Sequence, residues 1–150
     1  PAGRYLFFPA DHARPEKRHD RAAALAAAAD ARLLTGGSIE PEAMATWMNA
    51  ANAVVVTSDY EGFGMAAIEG LACDVPVLST PVGVAPYLLA GIDGCLCAPF
   101  DAERWAAAAR PHLVATDPRV AGSARAATLA AGPMAERVIE VYRQMTARPV

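Results

Sequence analysis

Apolar and polar positions along this chain come in alternating blocks. "RYLFFP", Arg4 to Pro9, is an unbroken apolar run closed by proline, the pattern of a strand buried on both faces as in a parallel sheet. A polar loop, "ADHARPEKRHD", leads into the alanine-rich "RAAALAAAADA", which favours helix and whose start Asp20 is placed to cap. "ARLLTGG" predicts a second strand closing on two glycines, and Ser38 or the Glu40-Pro41 pair opens the helix "PEAMATWMNAA". The alternation repeats: "NAVVVTS" is a strand, "GMAAIEGLAC" a helix, "VPVLST" a strand, "APYLLAG" a short helix and "GCLCAPF" a fifth strand. Helices are expected from about Ala102 to Val114, Pro118 to Ala130 and Pro133 to Ala147.

In the last of these, Met134, Val138, Val141, Tyr142 and Met145 recur at helical spacing, so one face must pack, as core or as an interface rather than as a cofactor site. Strand and helix alternating through short polar loops predict an α/β fold: a Rossmann-like open, mostly parallel sheet with helices on both faces. Ligands of such sheets sit beyond the carboxyl ends of the strands. Three loops qualify: Ala10 to Asp20, Gly36 to Pro41, and Ser58 to Gly64.

With 150 residues, 54% of them hydrophobic, the chain is sized for one domain spanning residues 1–150. Its apolar runs are broken well short of the ~18 residues a membrane span needs, and no signal-peptide pattern opens it, so a cytoplasmic location is the expectation. A net charge of -3 argues against broad nucleic-acid binding, which draws on a basic surface. Any phosphate ligand must therefore be held locally. Cys73, Cys95 and Cys97 lack metal-ligand spacing and are read as small core residues. Among thirteen basic residues Lys17 is the one lysine, a hint that a compact point charge is wanted there.

A dinucleotide-dependent oxidoreductase would carry G-x-G-x-x-G directly after the first strand; that loop has no glycine here. It holds Arg14, Lys17 and Arg18 just before a helix, where cations, free N–H groups and the helix dipole suit a diphosphate. A solvated loop, balanced by Asp11, Glu16 and Asp20, is the equal alternative.

The segment "SDYEGFGMAAIEG" carries two glutamates in otherwise small or apolar surroundings. Gly62 and Gly64 bracket Phe63 where a strand turns into a helix, so bare backbone can approach a ligand. Glu61 precedes that helix. Glu69 is its only charged residue, and reads equally well as a solvent-facing position. Were the stretch all helical, eight residues would separate the pair by about 12 Å of rise and about 80° of turn. That is too far for two carboxylates sharing one glycosidic bond, which need roughly 5–9.5 Å. Two separated carboxylates suit gripping hydroxyls at two ends of one extended ligand. Asp59-x-Glu61 as a Mg²⁺ or Mn²⁺ pair, implying a metal-dependent nucleotide hydrolase, is the lesser option because no third carboxylate sits at helpful spacing. No G-x-S-x-G appears, and His112, at the end of a helix, is read as structural.

On these residues, "SDYEGFGMAAIEGLACDVPVLSTPVG" resembles the E-x7-E signature of retaining GT-B glycosyltransferases, in particular glycosyltransferase family 4, the "group 1" family. The similarity runs from Arg4 to about Tyr142 and covers the carboxyl-terminal, donor-binding half of that two-domain fold. An amino-terminal acceptor domain would precede Pro1. The resemblance implies a hexosyltransferase using a UDP- or GDP-sugar without a bound metal or other cofactor. In a full-length enzyme, peripheral attachment to the membrane is a further option.

By the same resemblance, Glu61 contacts donor-sugar hydroxyls, Glu69 holds the ribose, and the backbone from Gly62 through Phe63 and Gly64 to Met65 approaches sugar and phosphate. Lys17, with a nearby arginine, stabilises the departing diphosphate. The family arginine falls at His12 here, and Arg14 is the substitute from a shifted position. A glycine that commonly follows the lysine is Arg18, another before the "VPV" strand is Asp74, and a strand and helix between Lys17 and Glu61 are missing relative to the family. The competing expectation is a non-catalytic nucleotide-binding or interaction module of the same fold.

Overall fold

The computed structural model describes residues 4–146. Five strands, β1 (Tyr5–Phe8), β2 (Arg32–Thr35), β3 (Ala53–Val56), β4 (Val77–Ser79) and β5 (Leu96–Cys97), form one sheet in the order β2-β1-β3-β4-β5. Every pairing is parallel, with Leu6 opposite both Leu33 and Ala53, and Val55 opposite Leu78. The helices are α1 (His19–Ala28), α2 (Pro41–Asn49), α3 (Met65–Ala72), α4 (Ala85–Leu88), α5 (Ala102–Val114), α6 (Ser123–Ala127) and α7 (Ala131–Thr146).

The unbroken apolar runs are explained by two cores, one on each face of the sheet. Tyr5, Phe7, Val54, Val56 and Val77 point to one side and pack with Met48 of α2, Ala67, Ile68 and Leu71 of α3, and Leu88 of α4. Leu6, Phe8, Ala53, Val55 and Leu78 point to the other and meet Leu25 of α1 and Trp105, Ala109 and Leu113 of α5. Period-2 alternation thus feeds both layers, and β1 and β3 are buried throughout. Polar groups inside are satisfied. The Tyr5 hydroxyl, its pKa pushed up to about 12 by burial, donates to the Trp47 carbonyl at 2.7 Å. Asn52 accepts from Tyr5 N at 3.0 Å and donates to the carbonyls of His112 and Ala115, tying the end of α5 to the sheet. His112 itself is held by Gly94 O at 2.8 Å, and burial lowers its pKa, as a structural histidine should show.

Three expectations are corrected. Asp20 does not cap α1: the helix begins at His19 with Arg18 as N-cap in a left-handed conformation (φ 54°), and Asp20, in the first turn, accepts from the Arg18 guanidinium instead. The helix expected over Pro118 to Ala130 shrinks to α6, since residues 116–122 are bends and irregular backbone tied to Asp74. Asp74, also left-handed (φ 55°), accepts from Gly122 N at 2.9 Å and Ser123 N at 2.7 Å, which lowers its pKa. An aspartate there fastens the start of α6, as a glycine could not. Finally, α7 buries no residue: Met134, Val138, Val141, Tyr142 and Met145 are exposed, so the stripe is not core. Ala147, the expected end of that helix, lies outside the described residues.

Candidate functional site

Strand order reverses between β1 and β3: β2 lies to one side of β1, whereas β3, β4 and β5 extend to the other. The loops leaving the carboxyl ends of β1 and β3 must diverge there and leave a crevice, the usual ligand position in an open α/β sheet. Lys17 arrives on the first loop, from a single 3-10 turn over Pro15–Lys17. Glu61 arrives on the second. The Lys17 ammonium donates to both carboxylate oxygens of Glu61, at 2.8 and 2.7 Å, and the two side chains are only 14% and 11% exposed. Ser58 Oγ donates to Glu61 Oε1 at 2.7 Å.

The backbone under this pair is fastened as well. Thr57 Oγ1, fully buried, is 3.0 Å from Lys17 O and 2.9 Å from Arg18 O, and Asp59 N donates to Glu16 O at 2.9 Å. Arg18 and Arg21 both hold the Asp59 carboxylate, at 3.0 and 2.7 Å, which lowers its pKa. Asp59 and Glu61 are therefore each engaged by cations of the β1 loop and α1. Among the described residues no three His, Cys, Asp or Glu side chains gather as a metal ion would require.

Glu69 reaches the same crevice from α3. That helix starts at Gly64, whose φ of 102° a side chain rarely tolerates, and no side chain caps its first turn. Small residues let α3 lie close to the sheet: a Cβ at Gly70 would come within 3.0 Å of Val54 Cγ2 and 3.2 Å of Val77 Cγ2. With Gly70 turned inward, Glu69 faces outward and over the crevice. A cleft of about 170 Å³ is lined by Phe8, Pro9, Arg14, Lys17, Ser58, Glu61 and Glu69, among others. A second, of about 430 Å³, continues from it between α2 and α3, walled by Ile39, Pro41, Met44, Met48, Ala72 and Cys73 and sharing Met44 and Glu69 with the first.

Lys17, Glu61, Glu69 and Arg14 are thus brought to one cleft. Arg14 is the loosest of them, 58% exposed and bonded through Nε to Glu16 at 2.8 Å. Gly62, Phe63, Gly64 and Met65 do not line it; Phe63 and Met65 are exposed beside it, and Gly64 is buried as the cap of α3. Glu69 is exposed and makes no side-chain hydrogen bond or ion pair with the described residues, yet partial desolvation beside the apolar walls raises its pKa. The residues missed from sequence are Ser58 and the apolar wall of α2. Met44 and Met48, four apart on one helical face, carried the signal for the second.

A charged crevice at the switch point, extended by an apolar groove, marks an open α/β domain with a candidate ligand cleft. The chain belongs to the glycosyl transferases of group 1, a family that matches residues 11–113. It is 36% identical over 141 residues to a D-inositol 3-phosphate glycosyltransferase of Thermobispora bispora, covering 91% of this chain and 32% of that protein. It is 41% identical over 85 residues to the enzyme of the same name from Mycobacterium avium, covering 56% and 20%. The chain spans about a third or less of the length of these relatives.

Among solved structures, sucrose-phosphate synthase from Thermosynechococcus elongatus superposes with a TM-score of 0.61 at 28% identity, covering 95% of this chain and 38% of that one. AviGT4, a glycosyltransferase involved in Avilamycin A biosynthesis, does so at 0.66 and 23% identity over 97% and 52%, a likeness of fold. The fold is that of one half of a GT-B glycosyltransferase. Among the described residues no helix is long and apolar enough to cross a membrane.

Proposed function

We propose that this chain is the donor-binding half of a retaining glycosyltransferase that transfers a hexose from a UDP- or GDP-linked donor. The observation that carries this reading is the convergence of Lys17, Glu61 and Glu69 on one cleft at the switch point. An activated sugar is a long molecule with distinct parts, and the cleft offers a distinct surface to each. The nucleobase lies in the groove walled by Ile39, Met44 and Met48, whose apolar character suits a flat ring. The ribose sits where Glu69, with no side-chain partner among the described residues, accepts from its hydroxyls. The pyrophosphate faces Lys17 and Arg14 and the uncapped start of α3, and the hexose presents its hydroxyls to Glu61.

As the bond between the anomeric carbon and the diphosphate lengthens, negative charge grows on the departing oxygen. A fixed ammonium in a partly water-excluded crevice stabilises that charge more than it stabilises the ground state. Because Lys17, Arg14 and backbone N–H groups supply the positive potential, the reaction needs no bound metal. The acceptor is bound chiefly by an amino-terminal domain of the same fold class, which covers the exposed face of α7. Transfer then takes place between the two, in the cytoplasm.

Calorimetric titration of UDP, GDP and their sugars tests the site. Binding by the parent that weakens at least tenfold, about 1.4 kcal/mol, in Glu69→Ala and in Lys17→Ala supports it. No binding at millimolar ligand, or variants that bind like the parent, removes it. A second reading, a nucleotide-binding module that has lost transfer, is favoured by the closed Lys17–Glu61 pair. It predicts binding without hexose transfer when the domain is assayed together with an amino-terminal half.

A further inference from the structure

The one ammonium of the cleft is already engaged. Lys17 shares its protons with both oxygens of Glu61, and Ser58 holds that carboxylate in place. A diphosphate reaching Lys17 therefore competes with a carboxylate for the same cation. A bare nucleoside diphosphate must draw the lysine away and leave Glu61 shielded from water with a single hydroxyl donor, a costly state for an ionised group. A sugar on the diphosphate alters that balance. Its hydroxyls donate to Glu61 as the lysine turns to phosphate, so each hydrogen bond lost is replaced.

We propose that the Lys17–Glu61 pair is a specificity device, through which the site takes up a sugar-bearing nucleoside diphosphate in preference to the bare one. The inference rests on the donor-site reading above. Glu61 then has two tasks: it contacts the hexose, and it sets the affinity for the product through its claim on Lys17. Once the hexose has left, Glu61 recovers the ammonium and the diphosphate is released more readily. Ser58, which touches Glu61 and not Lys17, is a positioning residue in this device.

The test is to titrate UDP, GDP, UDP-glucose and GDP-mannose into the chain and into Glu61→Gln, which keeps the shape of the side chain and removes its charge. The device predicts that affinity for the preferred bare diphosphate rises about fivefold in Glu61→Gln, the size of a partly exposed ion pair. The advantage of the sugar-bearing ligand over the bare one shrinks in step. Ser58→Ala moves both quantities the same way by a smaller factor, and gives the answer should Glu61→Gln fail to fold. Bare-diphosphate binding that is unchanged or weaker in these variants, with parental binding intact, overturns the device and leaves the donor site standing. A parent that binds none of the four ligands overturns both.

Discussion

At the β1–β3 end of the cleft charge is cancelled in place, whereas at the α2–α3 end it stands alone. Glu61 is clasped by Lys17 and Ser58, on backbone fastened by Thr57. Glu69, eight residues on, lies against methionine and alanine with no hydrogen bond or ion pair to the described residues. One carboxylate is held by a cation and a hydroxyl, and the other has no such contact among the described residues. A site built this way stores its binding capacity unevenly: the lone group gains outright when a ligand arrives, and the paired group gains only what exceeds the pairing it gives up.

The contrast can be broken first from beneath. Gly70→Val forces branched carbons onto Val54 and Val77 and lifts α3, and Glu69 with it, from the sheet. The expected cost is about 3 kcal/mol in urea unfolding, accompanied by loss of nucleotide binding. Next, Lys17→Ala strands Glu61 with one hydroxyl donor, and about 2 kcal/mol of stability should go with it. An unchanged midpoint would mean that the pair contributes no stability.

Glu69→Gln is predicted to act in the opposite sense. Partial desolvation holds the exposed Glu69 carboxyl above its ordinary range, so the folded protein binds that proton more tightly than the unfolded chain does. Stability from this group is therefore present below the ordinary carboxylate pKa and lost as pH rises through the raised value. The variant should raise Tm at pH 7 by about 1 °C after solvent screening, leave it unchanged near pH 4, and weaken ribonucleotide binding about tenfold. A fall in Tm at pH 7 would show that Glu69 has a stabilising partner. The smallest effect is expected at Arg18→Gly: relief of the left-handed backbone offsets loss of the exposed pairs to Asp20 and Asp59, and Tm should move by less than about 1 °C.

Much of this architecture was legible because buried parallel strands must be apolar on both sides. The runs at Tyr5–Phe8 and Ala53–Val56 admit little else, and their order with the intervening helices gives the sheet. The glutamates were legible as exceptions in an apolar segment, and Lys17 as the one lysine. What stayed hidden depends on partners distant in sequence. That Lys17 and Glu61, 44 residues apart, bond each other follows from β1 and β3 being neighbours, which no local pattern states. The shortening of α6 follows from Asp74 capturing the N–H groups of Gly122 and Ser123, almost fifty residues away. The unburied stripe of α7 was visible as amphipathic, yet periodicity does not say what covers a face.

Whether one extended ligand spans both ends of the cleft is decided by a crystal structure of the chain soaked with UDP-glucose or GDP-mannose. Ribose hydroxyls are expected within about 3 Å of the Glu69 carboxylate and a phosphate oxygen within about 3 Å of Lys17 Nζ, with that ammonium turned away from at least one Glu61 oxygen. A nucleotide bound elsewhere, or one seated in the cleft with the Lys17–Glu61 pair intact and Glu69 untouched, would contradict it.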